Sequence, residues 1–83
     1  MPVSETSAIE RIARVLAGQR LSVNAKGFVS SAGDEVDEQW FEHRDDALAV
    51  LRTLREPDPI MASAGDPEIW RTMVDAAIED YQG

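Results

Sequence analysis

The sequence contains no cysteine. Disulfides, thiolate zinc sites and cysteine nucleophiles are excluded together, and the absence fits a reducing compartment. It also has only one histidine, His43. That residue has no partner serine at a strained turn, no second histidine and no glycine-rich anion loop, so no catalytic constellation can be assembled around it. With Glu42 and Asp45 as its neighbours it reads as a surface or boundary histidine near an acidic cluster. No apolar run approaches the roughly 20 residues that span a bilayer. The N-terminus, "MPVSETSAIERIA", has no basic region followed by an apolar run, which argues against a signal peptide. These absences predict a soluble, cytoplasmic, non-enzymatic protein without a cofactor.

What is present is negative charge. The 83 residues carry a net charge of −8, unevenly spread. Residues 1–33 hold four basic and two acidic groups, and residues 47–83 hold three basic and seven acidic ones. Between them, residues 34–46 hold seven carboxylates against Arg44 alone. Direct binding to DNA, RNA or an anionic membrane needs a basic footprint and is disfavoured. A basic protein or nucleoprotein complex is the favoured partner.

A chain this short forms one domain over residues 1–83, near the lower limit of independent folding. The periodicity predicts a mainly α fold, a small three-to-four-helix bundle. Ser7 and Glu10 have the spacing of a capping box. Ile9, Ile12, Ala13 and Leu16 follow as an apolar stripe, and Gly18 suits a C-cap, giving a helix over about 7–17. Two readings stay open for the next segment, a short β-hairpin over about 20–31 or a loop. A second helix is expected from 36–40 to about Arg55, with Trp40, Ala47, Leu51 and Leu54 on one side. The break "REPDP" ends it. Asp58 with Pro59, and Asp66 with Pro67, then repeat the same start signal. A short helix over 59–64 should close one end of the bundle, and a last helix should run over about 67–81 with a broad apolar side. The expected core is Ile9, Ile12, Leu16, Trp40, Leu48, Leu51, Leu54, Trp70, Met73, Ala77 and Ile78, with Trp70 anchoring the junction between the last two long helices.

The acidic stretch is the candidate functional site. If the second helix reaches back to Glu35, then Glu35, Glu38, Glu42, Asp45 and Asp46 fall opposite Trp40 and Leu51. On one continuous helix they would span about 16 Å, with charges about as far apart as the phosphates of a DNA strand, roughly 3.4 Å. Such a ridge could occupy a groove built for nucleic acid; a solvated helix face is the plainer alternative. "DEVDEQWF" lacks the alternate carboxylates, central glycine and closing glutamate of a calcium loop, so no metal site is expected.

The segment Ala47–Asp80 resembles short phage- and prophage-type proteins of proteobacteria, which share an R-E-P turn, a methionine-containing short helix and a W-x-x-M-[IV]-D-A-A ending. Here these are Arg55-Glu56-Pro57, Met61 and Trp70–Ala77. "IERIARVLA" is similar to their opening helix, while Gln19–Gln39 departs from the pattern. The resemblance carries no catalytic residues. It implies a setting in which small acidic proteins inhibit host machinery, anti-CRISPR proteins among them. The expectation is an inhibitor of a basic, nucleic-acid-handling partner that presents the acidic helix face. The alternative is a non-enzymatic structural or accessory subunit, monomer or homodimer, which self-associates or joins an assembly through the apolar face of its last helix.

Overall fold

The computed structural model describes residues 3–24 and 32–82, with side chains at 3–20 and 36–81. The described residues are arranged as α1 (Ala8–Asn24), α2 (Ala32–Gln39), a 3-10 turn (Trp40–His43), α3 (Arg44–Leu54), α4 (Pro59–Ala64) and α5 (Pro67–Gln82). The mainly helical bundle is as the periodicity predicts. No strand occurs among the described residues.

Helix α1 starts at the expected cap, but only half of the capping box forms. The Glu10 amide donates to Ser7 Oγ at 3.1 Å, while the Glu10 carboxylate accepts from Arg14 Nε at 2.8 Å. The helix does not stop at Gly18; it continues to Asn24. Residues 20–24 of the expected hairpin are therefore helical, and 25–31 lie outside the described residues. Tertiary packing overrides the glycine stop signal. α2 lies along α1, and the place of a Cβ on Gly18 is 3.7 Å from Val36 Cγ2.

The expected continuous helix from 36–40 to Arg55 is divided in two. His43 (φ −100°, ψ 10°) leaves helical geometry at the end of the 3-10 turn, while Gln39 before it stays in the helical region at φ −114° and ψ −8°. The Phe41 carbonyl accepts from the Arg44 amide and from Arg44 Nε at 3.3 Å. That bond from the residue three positions on is the 3-10 pattern. Trp40 meets Phe41 edge-on at 6.4 Å and lies under the Arg14 guanidinium at 5.4 Å. Arg14 also bonds Asp37 at 2.5 Å, tying α1 to α2.

The core sits where α1, α3 and α5 meet. Ile9, Ala13, Ala47, Leu48, Leu51 and Val74 are buried together, with Ile12, Trp40, Trp70, Ala77, Ile78 and Tyr81 packed around them. Three expected core members occupy other places. Leu54 is 41 % exposed and Met73 64 % exposed, and Leu16 is half-buried. α5 turns its 70-74-77-78-81 stripe inward, which leaves Met73 and Ile69 to one side. Ala13 of α1 and Ala47 of α3 are both fully buried in this cluster, and small side chains of this kind let two helix backbones approach.

Helices α4 and α5 begin as their sequence signals require. Asp58 Oδ1 accepts from the Met61 amide at 2.8 Å, and Asp66 Oδ1 from the Glu68 and Ile69 amides at 2.8 and 3.4 Å. α4 does not close the bundle end, for none of its residues is buried. A short turn at Gly65–Asp66 leads from it into α5.

Candidate functional site

The acidic surface follows α2, the 3-10 turn and the first turn of α3. Asp37, Glu38, Glu42, Asp45 and Asp46 are all exposed, while Val36 and Trp40 are half-buried and Ala47 and Leu48 are buried. The polar and apolar sides are thus separated as the sequence implies, except at Phe41, which is 52 % exposed beside Glu42. The even ridge is not, because the break at Trp40–His43 removes the constant rise on which its spacing rests. Glu35 lies in α2, and its side chain is outside the described residues.

The carboxylates differ in what they already hold. Among the described residues, Glu38 and Glu42 have no ion-pair partner. Asp46 stands 3.8 Å from His43 Nδ1, and the His43 side chain is mostly covered, 12 % exposed. Asp37, absent from the expected set, pairs with Arg14. Arg14's pKa is raised, first by its hydrogen bond to Asp37 and then by that to Glu10. Asp45 accepts a short hydrogen bond from the Tyr81 hydroxyl. Burial adds to that bond in pushing the Tyr81 phenol above its ordinary range, and Arg44 lies over the same ring at 5.8 Å. Asp45 is therefore also a structural tie between the start of α3 and the end of α5. Tyr81 ends α5's inward stripe, but nothing in the sequence pairs it with Asp45.

The broad apolar side of the last helix is divided between two surfaces. Val74 is buried and Ile78 is partly buried against the core, so much of this side is already taken up by the fold. Ile69 and Met73, 59 % and 64 % exposed, lie outside the core. With Pro57, Met61, Ala64, Pro67 and Trp70 they line a groove of about 360 Å³ between α4 and α5.

Comparison with protein-family models, with curated proteins and with solved structures gave no match. The chemistry of these two surfaces has to stand on its own residues. No helix among the described residues is long and apolar enough to cross a membrane, and no group of three or more metal-ligating side chains occurs among them.

Proposed function

We propose that this is a small acidic, non-enzymatic binding protein of the cytoplasm that engages and blocks a basic, nucleic-acid-handling protein. The contact would be made by the acidic surface along α2, the 3-10 turn and α3. One observation carries the reading: all five described carboxylates from Asp37 to Asp46 are exposed, and Glu38 and Glu42 have no described ion-pair partner. Carboxylates held this way attract a basic surface without first giving up a partner. The resemblance to phage-type proteins supports the same setting, an inhibitor of host machinery in the manner of anti-CRISPR proteins. Glu38→Lys with Glu42→Lys leaves the Asp45–Tyr81 tie in place, so folding should be retained. Binding to a nucleic-acid-handling partner should fall steeply with salt in the parent and be lost in the double variant. Retained affinity in a folded double variant would reject the reading.

A second reading, an accessory subunit that joins an assembly through its last helix, is favoured by the exposure of Ile69 and Met73. The contact surface on this reading is the side of α5 facing α4, since Val74 and Ile78 serve the core.

A further inference from the structure

The groove between α4 and α5 has one chemistry inside and another at its rim. Its apolar lining includes Met61, Ile69, Trp70 and Met73, together with Pro57 and Pro67. The adjoining depression shares Ile69 and Met73 and adds Glu68 and Thr72. The charged residues lining the two are Asp66, whose carboxylate also caps α5, and Glu68; Arg71 and Asp75 line a further depression that shares Glu68 and Thr72. Glu56 and Asp58 flank Pro57 at the groove's end and are exposed. Ile60, next to Met61 on α4, is 81 % exposed. Arg55 is not at this rim, because it is turned to Asp75 at 3.4 Å. Open apolar surface of this kind can be covered by a partner's apolar side chains.

We infer that the α4–α5 groove receives a short amphipathic helix of a partner protein, apolar along one side and basic at its margins. The inference rests on the second reading above and adds the lining residues, the shape and the charge of what binds. Charge decides against a second copy of this chain. Pairing of two copies would bring together molecules that each carry a net charge of −8, and juxtaposed like charges oppose association. Shape favours a helix. Ile69 and Met73 are one turn apart on α5, about 6 Å along its axis, which matches apolar anchors repeating three or four residues apart on a bound helix. Strand addition is not available here, since the groove walls are helical and present no open strand edge. Asp66 and Glu68, both N-terminal to the anchors on α5, would face lysine or arginine at that end of the bound helix.

The probe is a synthetic helix of leucine and lysine alone, about 14 residues or roughly four turns long, compared with its leucine–glutamate counterpart. Saturable binding of the lysine peptide should shift the methyl resonances of Met61, Ile69 and Met73, and should be at least about tenfold tighter than that of the glutamate peptide. Ile69→Ser and Met73→Ser, at exposed positions, should retain parent helicity and melting while weakening binding about tenfold. Glu38→Gln with Glu42→Gln should leave groove binding nearly unchanged. If neither peptide moves the groove methyls, the reading of the last helix as a contact surface fails with the inference. If both bind equally there, or the chain alone sediments as a dimer with those methyls shielded, the basic-helix assignment is overturned and the contact surface stands. Lysine-peptide shifts confined to α2 and α3 would overturn it in favour of the acidic surface.

Discussion

Tyr81 and Trp70 fasten α5 at its two ends, each by one polar atom on an aromatic ring. The Tyr81 hydroxyl must keep its proton to donate to Asp45, so the folded state favours the neutral phenol. Its pKa is raised above the ordinary value of about 10 by that bond first and by burial second. A group with a raised folded pKa contributes all of its stabilisation below its unfolded value, and loses it as pH rises through the folded one. Since Tyr81 is the only tyrosine, the ultraviolet absorbance of phenolate reads it directly. Its midpoint should lie above that of the unfolded chain, and Asp45→Asn should bring it down. At the other end, Trp70 Nε1 donates to the Leu54 carbonyl at 2.7 Å, satisfying one of the carbonyls left open at the end of α3. Trp70→Phe should cost about 1 kcal/mol for the lost hydrogen bond. Trp70→Ala should cost about 2–4 kcal/mol, below the usual 3–5 for a fully buried tryptophan, because the ring is half-exposed. Urea melts of the two variants check both values.

At the scale of the element, the signals that act locally were legible and those that depend on a neighbour were not. Asp58-Pro59 and Asp66-Pro67 start α4 and α5 as read, because a cap needs only the next few amides. Gly18 is the contrary case. Its sequence position suits a helix stop, yet α1 passes through it because α2 packs alongside. The 3-10 turn was likewise hidden, since apolar spacing through Trp40 and Ala47 fits one unbroken helix equally well. Among the site residues, exposure of Glu38, Glu42, Asp45 and Asp46 was legible from periodicity. The engagement of Asp45 by Tyr81 was not, because it joins elements 36 residues apart. The alanines were under-read too: Ala13 and Ala47 carry no large apolar area, and their role appears only when two helices meet. Gly18→Ala should raise stability by about 0.5–1 kcal/mol, since a Cβ there finds ordinary contact and removes unfolded-state freedom. Ala47→Leu should lower it by about 1–3 kcal/mol through overpacking. Thermal melts showing the reverse order would reject this account of how α1, α2 and α3 pack.

For the whole molecule, the main question is whether its charges help or hinder the fold. Against a net charge of −8, the described ion pairs of Arg14 and Arg55 lie at the surface, with side chains a third to two-thirds exposed. Pairs of that kind contribute little. The five exposed carboxylates between Asp37 and Asp46 repel one another over a short stretch, and excess charge of one sign destabilises a compact state. Repulsion should therefore outweigh attraction, and salt should stabilise the protein. Raising sodium chloride from about 0.01 to 0.15 M shortens the screening length from roughly 30 to 8 Å, so the melting temperature should rise across that range. Glu38→Gln with Glu42→Gln should raise the low-salt melting temperature and flatten its salt dependence, because it removes two of the repelling charges and breaks no described pair. The same screening should weaken a basic partner at the acidic surface while a lysine peptide in the groove, seated mainly by apolar burial, loses less. A melting temperature that falls with salt would mean that the Arg14 and Arg55 pairs dominate, and the negative surface would then be part of what holds the fold together.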